Sequence, residues 1–507
     1  MSAQLALLPG YLTGHLQLTM LALLFAVAVS IPLGVWVTRS RWLEQPILGT
    51  AGVIQTIPSL ALLAVMVPLL AALGLQSIGF LPALIGLTLY GLLPILRNTV
   101  TGIDSVDPAL KEAARGVGMT PAQQLRRVEI PLALPVIVGG VRTATVWTVG
   151  VATLSTPVGA TSLGNYIFSG LQTRNFTAVL VGSVAAASLA LVLDGLVHMM
   201  EVGLRDRRHP LLTAAIASFA LLYGYVAITL AGPLLRDADP PIEIGSKSFT
   251  EQYILADILA DQIREETDLS TKKVSSLGST VVFDAVAAGS LDVYVDYSGT
   301  LWATVMKKPH PPVSREEAVE LATAYLAKKY GITVVGPLGF ENTYALAMRA
   351  SQARKLGITT ISDLVPYAPR MSMGADYEFF ARAEWRSVKE RYGLEFAKLR
   401  SMDPALMYQA VAEGSVDVIS AYSTDGRIQA MDLVVLEDDL HAIPPYDALI
   451  LASQRVGESH PEVLNALSGL VGTIDASQMR SMNNDVDIKG EPTAVVARRF
   501  LEKLHRR

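Results

Sequence analysis

Ala285-Val286-Ala287-Ala288-Gly289-Ser290-Leu291-Asp292-Val293 returns 125 residues later as Ala410-Val411-Ala412-Glu413-Gly414-Ser415-Val416-Asp417-Val418, with seven of nine positions identical. Each copy reads as a helix end, a glycine turn and the start of a strand. Four residues past the last valine, each copy reaches a Tyr-Ser pair, Tyr297-Ser298 and Tyr422-Ser423. Two similar α/β lobes follow, each presenting a tyrosine at the carboxyl end of a strand. That is the end at which open α/β sheets bind ligands, so the echo predicts a cleft lined from both sides.

Outward from the echo, strands and helices alternate, which is an α/β pattern. Ile242-Glu243-Ile244-Gly245 reads as the first strand, and Ser248-Phe249-Thr250-Glu251 as a capping box opening the next helix. Further strands are expected at Ile332–Val335, Tyr344–Met348 and Asp417–Ser420. The lobes are placed at about 242–341 with 423–507, and at about 342–422. Tyr344, Tyr408 and Tyr446 stand at similar transitions to Tyr297 and Tyr422. Around one cleft these tyrosines make an aromatic cage. A quaternary ammonium has no N–H to donate, so hydrogen bonds cannot hold it directly, whereas ring faces attract it by about 0.5–2 kcal/mol each. Backbone N–H groups at the helix starts Ser248–Thr250 and Ser298–Thr300 suit a carboxylate or hydroxyl at the ligand's other end.

Upstream, the composition changes solvent. Residues 1–240 carry 23 Asp, Glu, Lys and Arg, and residues 241–507 carry 64. The first part is far below the roughly 25% charge of soluble domains, and the second is close to it. A single soluble enzyme is thereby excluded, and a lipid-facing half of residues 1–235 is joined to a water-facing half of 242–507 by a proline-stiffened link at 236–241. Spanning ~30 Å of hydrocarbon takes about 20 apolar residues in a helix. Six spans are expected: Leu12–Val37, then about 50–73, 80–97, 130–153, 176–200 and 211–232. The basic residues Arg39, Arg41, Arg97, Lys111, Arg115, Arg126, Arg127, Arg205, Arg207 and Arg208 fall in alternate loops, and the opposite loops hold almost none, Arg174 excepted. The positive-inside rule then puts the N-terminus and residues 241–507 outside the cytoplasmic membrane. Span one lacks a basic leader and is read as a retained helix. Arg142 and Asp194 lie within spans.

The cytoplasmic loop of 98–129 reads as a helical elbow. Asp107 is an N-cap with Pro108 at the first helical position, Gly116 and Gly118 end the helix, and Thr120-Pro121 starts a second short helix ending before Ile130-Pro131. Glu112-Ala113-Ala114, three residues, Gly118, nine residues, then Val128-Glu129-Ile130-Pro131 resembles the loop motif of ABC importer permeases. Pro131–Ile137 and Gly140–Ala144 look like the glycine betaine/choline branch. The resemblance implies that Glu112, Ala113, Ala114 and Gly118 couple to a separate ATP-binding subunit and that the permease works as a homodimer. Gly159–Gly164 stands where the family often has a glycine-richer run.

The second half resembles the substrate-binding proteins of the same importers, in Gly245-Ser246-Lys247-Ser248-Phe249-Thr250-Glu251-Gln252, Asp296–Thr300, Asn342–Leu346, Tyr422–Gly426 and Leu436–Asp439. The fold implied is an all-α membrane domain followed by a two-lobed periplasmic-binding-protein-like α/β domain. The family's cage maps to Tyr297, Tyr344, Tyr422 and Tyr446, with Tyr408 beside them. Its polar contacts map to Gln252 and Thr300, and Phe249 belongs to the same set. Ser298, Val295 and Glu341 depart from the usual Thr, Pro and Asn, and Ala383-Glu384-Trp385 from a usual Asp-Gly. Glycine betaine, choline, carnitine and ergothioneine all carry the trimethylammonium group that such a cage takes.

Other chemistries find no support in the sequence. There are no cysteines, and the seven histidines show no zinc spacing. Gly245-Ser246-Lys247-Ser248 lacks the phosphate-loop spacing, and no G-x-S-x-G elbow is present. The net charge of −5 gives no basic face for nucleic acid. No cofactor and no catalytic residue are expected. Two rivals stand beside the importer. A membrane-anchored sensor would need a cytoplasmic output domain longer than 98–129. An aromatic cage argues against an amino-acid importer, since carboxylates normally hold an α-ammonium, and Asp296, Glu341 or Asp376 in the cleft would revive it.

Overall fold

The computed structural model describes residues 2–172, 175–234, 240–308 and 314–506. The link expected at 236–241 lies largely outside them. The chain divides into two compact units, one of membrane-type helices and one built mainly from residues after 239.

In the first unit, five helices are long and apolar enough to cross a membrane among the described residues: Leu7–Val37, Phe80–Asp104, Pro121–Val158, Phe176–Arg205 and His209–Gly232. Phe80–Asp104 packs against both the first helix and the helix of 130–152. The uniform span expected at about 50–73 is instead a broken pair, Trp42–Thr56 and Ser59–Ala72, bent by 100°. Pro58 explains the break. A proline disfavours helical backbone in the residue before it, and Ile57 is extended, with φ −66° and ψ 128°. Arg39, just past the first helix, pairs with Glu129 at 2.7 Å. Counting the bent pair as one broken span brings the number of membrane-type spans among the described residues to six.

The elbow helix spans Pro108–Gly116, with the Asp107 carboxylate accepting from the Ala109 N–H at 2.8 Å. Thr120 and Gln123 form a reciprocal capping box at the second helix. That helix does not end before Ile130-Pro131. It continues through a wide turn at Leu125–Glu129, where the Ile130 N–H bonds five residues back to Leu125, and runs on into Ile130–Ala152. Pro131 has no N–H and its ring crowds the carbonyl four residues earlier; the wider turn gives it room. Between two membrane-type helices Arg142 pairs with Asp194, at 2.7 and 2.9 Å, on a partly exposed face.

The second unit holds two five-stranded sheets. The strands are β1 (Ile242–Lys247), β2 (Thr271–Leu277), β3 (Val293–Tyr297), β4 (Thr333–Glu341), β5 (Tyr344–Arg349), β6 (Ser372–Ala375), β7 (Lys398–Ser401), β8 (Val418–Tyr422), β9 (Leu433–Val435) and β10 (Asp447–Ala452). The orders are β2-β1-β3-β10-β4 and β7-β6-β8-β5-β9. In each, the first three strands pair in parallel and the last two pairings are antiparallel, so only the fourth strand, β10 or β5, runs against the other four. The sheets therefore share one plan. The echo segments occupy equivalent places, as helix ends leading into β3 and β8 through Gly289 and Gly414 at φ +70° and +80°. β9 pairs with β5, so the second sheet reaches past the 422 limit drawn for the second lobe.

The echoed aspartates do matching work. Asp292 accepts the Glu243 N–H at 2.8 Å, and Asp417 accepts the Ser372 N–H at 2.8 Å. Each ties its turn to the neighbouring parallel strand, and Asp292 also pairs with Arg455. Asp292→Ala leaves that amide and the guanidinium without their partner. It should cost about 1–3 kcal/mol, read as a lower melting temperature of the second unit by calorimetry.

Candidate functional site

Where the two sheets face each other, five aromatic rings meet. Tyr297 ends β3, Tyr422 ends β8, Tyr344 opens β5, Tyr446 immediately precedes β10, and Phe249 stands at the start of the helix Thr250–Glu266. Phe249 stacks on Tyr422 with centroids 5.6 Å apart and planes at 8°, and on Tyr297 at 6.3 Å. Tyr344 lies 5.3 Å from Tyr422 and 5.9 Å from Tyr446. The rings rest against one another. A trimethylammonium between Phe249 and Tyr422 would need them further apart than this, because methyl groups and rings each have thickness.

Local structure explains each ring. Tyr344 and Tyr422 are directly paired in the antiparallel β5–β8 register, which puts their side chains on the same face. Tyr446 lies against Gly299, where an added Cβ would fall 2.4 Å from the ring. Ser298 Oγ donates to the Pro445 carbonyl at 3.0 Å and accepts the Asp447 N–H at 2.9 Å, clamping the segment that carries Tyr446. Gly299→Ala should displace the Tyr446 ring at a cost of about 1–3 kcal/mol, with a lower melting temperature and an altered near-ultraviolet circular dichroism spectrum.

The polar residues named from sequence take other places. Gln252 is buried, and its Nε2 donates to the Val295 carbonyl and the Tyr297 hydroxyl, both at 3.1 Å. It fixes Tyr297 from behind. Thr300 is buried one residue past Gly299. Tyr408 does not join the rings. It is fully buried, its hydroxyl accepts the Tyr422 N–H at 3.0 Å, and the Arg427 guanidinium sits 4.0 Å from its ring centroid.

The capping box expected at Ser248–Glu251 does not form. Phe249 holds the N-cap position with no side-chain cap. The Glu251 carboxylate instead accepts from Tyr297 Oη at 2.5 Å, Asn342 Nδ2 at 2.9 Å, Thr424 Oγ1 at 2.5 Å and Asn483 Nδ2 at 3.3 Å. Burial pushes its pKa up and outweighs the opposing pull of the four donors. Sequence reasoning missed Glu251 as a site residue because its spacing from Ser248 already had an ordinary explanation. It also missed Glu384, which accepts from the Tyr446 hydroxyl and pairs with Arg382 at 2.9 Å. The departure at Ala383-Glu384-Trp385 was the available signal. Of the three carboxylates whose presence in the cleft would favour an amino-acid site, two have cation partners and the third reaches a ring hydroxyl. Asp296 pairs with Lys247, Glu341 with Arg315 at 2.5 Å, and Asp376 accepts the Glu378 and Phe379 N–H groups and the Tyr422 hydroxyl.

On the elbow of the first unit, Glu112, Ala113 and Gly118 are exposed and Ala114 is buried. Leu110 and Val117 are 46% and 73% exposed, so they and Ala113 form an apolar stripe at helical spacing. Arg115 donates to Gln124 at 3.4 Å, Gln124 donates to Glu129 at 2.6 Å, and Glu129 pairs with Arg39, so side chains link the elbow to the base of the first helix.

Residues 240–503 match the family described as the substrate binding domain of the ABC-type glycine betaine transport system, and residues 30–206 match the binding-protein-dependent transport system inner membrane component. The chain belongs to the glycine betaine/carnitine/choline/ergothioneine family of ABC importers, as a permease fused to its substrate-binding domain. An ergothioneine transport permease/ergothioneine binding protein of Helicobacter pylori is 30% identical over 96% of this chain and 87% of its own length. An osmoprotectant import permease of Salmonella typhimurium is 46% identical over 39% of this chain and 94% of its own. A carnitine transport binding protein of Listeria monocytogenes is 31% identical over 52% and 86%. The fused importer subunit is a multi-pass membrane protein and not an enzyme; in this family ATP hydrolysis belongs to a separate subunit.

Proposed function

We propose that the second unit closes its two sheets on a trimethylammonium solute, with Phe249, Tyr297, Tyr344, Tyr422 and Tyr446 as the cage, and that the first unit carries the solute inward. The contact of five rings drawn from both sheets is the observation that carries this reading. The cation partners of Asp296 and Glu341, Lys247 and Arg315, weigh against an α-ammonium held by those two carboxylates; Asp376 has no such partner among the described residues, and an amino-acid arm in the binding panel tests it. Gln252 and Thr300 position the cage, and Tyr408 supports the strand end behind Tyr422. Glycine betaine, choline, carnitine and ergothioneine are the solutes to test.

Two copies of the permease half enclose the pathway, and a separate ATP-binding subunit docks on the elbow at Glu112, Ala113, Ala114 and Gly118. The exposed stripe of Leu110, Ala113 and Val117 suits such a seat, and the Arg115–Gln124–Glu129–Arg39 chain would pass its movement to the first helix. The basic loops put the elbow in the cytoplasm, and the N-terminus and binding domain outside the inner membrane.

Calorimetry of the solubilised full-length protein should show saturable binding of at least one of the four solutes. Tyr297→Ala or Tyr422→Ala should weaken it by about 3- to 30-fold; unchanged affinity would remove the cage. Leu110→Asp with Val117→Asp should abolish solute uptake in cells while solute affinity stays at the wild-type value.

A further inference from the structure

Three of the cage hydroxyls point to carboxylates. Tyr297 donates to Glu251 at 2.5 Å, Tyr422 to Asp376 at 3.0 Å, and Tyr446 to Glu384. The three acids come from separate segments of the chain, and they are 2%, 4% and 1% exposed. Buried charge is costly without a counter-charge, so their partners matter. Glu384 has Arg382. Glu251 accepts only from neutral groups, and Asp376 accepts from two backbone amides and the Tyr422 hydroxyl. Among the described residues, neither has a cation within ion-pair distance. The nearby cations pair with other carboxylates, Lys247 with Asp296, Arg382 with Glu378 and Glu384, and Arg427 with Asp425, although Lys247 also stands 5.4 Å over the Tyr297 ring and Arg382 5.2 Å over that of Tyr344.

We propose that Glu251, Asp376 and Glu384 are positioning residues that tune the cage for a permanent cation over a neutral group of the same shape. This rests on the reading of the rings as a trimethylammonium site. A carboxylate that accepts a phenol's hydrogen bond pushes electron density toward the ring, and low-dielectric surroundings strengthen that polarisation. The ring face becomes more negative, and a cation over it is held more strongly. The hydroxyls stay protonated as this requires, because burial holds all three well above the usual tyrosine range. A quaternary ammonium suits the arrangement because it has no N–H with which to take the carboxylate lone pairs from the hydroxyls. It supplies the missing positive charge through the rings and leaves the hydrogen bonds in place.

The test compares the solute with its neutral isostere, in which carbon replaces the quaternary nitrogen. For choline this is 3,3-dimethylbutan-1-ol. Calorimetry on the solubilised full-length protein first identifies which of choline, glycine betaine, carnitine and ergothioneine binds. Asp376→Asn keeps an oxygen able to cap the Glu378 and Phe379 amides but removes the charge beside Tyr422. It should lower affinity for the cation by about fivefold and leave the isostere's affinity unchanged. Glu384→Gln should do the same, and its effect should shrink in a Tyr446→Phe background, where the hydroxyl link is already gone. Equal losses for cation and isostere, or no loss for either, would overturn the tuning while leaving the cage standing. A wild-type protein that binds none of the four solutes would overturn the cage and the tuning together. A melting scan of each variant identifies any that fails to fold, and a folded Asp376→Asn, or Glu384→Gln if that one fails, decides the matter.

Discussion

Glu251 holds a carboxylate away from water and surrounds it with four donors from four parts of the chain: the end of β3, the crossing between the sheets at Asn342, the returning segment at Thr424, and the helix of Ala476–Asp487 at Asn483. Moving an ionised carboxylate out of water costs several kcal/mol. Hydrogen bonds to a charged group contribute about 1.5–3 kcal/mol each, yet even with all four donors in place burial holds the Glu251 pKa above the usual carboxylate range, so the loss of any one donor disfavours the charged form further. The crossing at Asn342, the segment just after β8, the first turn of the helix that carries Phe249, and the ring of Tyr297 are thereby tied to one point. The cleft's floor is a hydrogen-bond junction, and the rings above it inherit its geometry.

The architecture of the second unit was legible because its information is repeated. Two copies of a helix–glycine–strand phrase, each with an aspartate before the strand, fix two equivalent places in two sheets of the same order. Their physical basis is simple: Gly289 and Gly414 take the left-handed turn, and Asp292 and Asp417 bind the neighbouring strand's amide. The tyrosines could be named for the same reason, since strand ends can be located. What could not be read was where side chains go when they have a choice. Glu251 has capping-box spacing but reaches the junction instead, where four side-chain donors take the place of one backbone amide. Tyr408 has the right residue type and the right neighbourhood, yet faces away beneath β8, where Arg427 and the Tyr422 amide hold it.

In the membrane half, hydropathy located the long helices but not their continuity. The charge-free run around 50–73 has the length and apolarity of a span, and Pro58 was not weighed against them. The result is a sharp bend, since one proline acts on local backbone geometry while hydropathy averages over twenty residues. The opposite error came at Ile130-Pro131. A proline there was expected to separate two helices, and the wide turn at Leu125–Glu129 lets one continuous helix run past it. The same residue type breaks one helix and is absorbed by another, according to whether the preceding turn can loosen.

The pairing of the rings has a mechanical consequence. Tyr344 and Tyr422 are register neighbours on the second sheet, while Tyr446 leads into β10, whose Ala448 pairs with Tyr297 on the first. The ring cluster is therefore built as two jaws, one on each sheet, with Phe249 at the start of the helix that packs on the first. Little side-chain freedom remains to be lost on capture, and the main remaining variable is the opening angle between the jaws. Apparent affinity then scales with the fraction of molecules whose jaws stand ready. Changes that bias that angle, far from any ring, can retune affinity without altering what the rings touch.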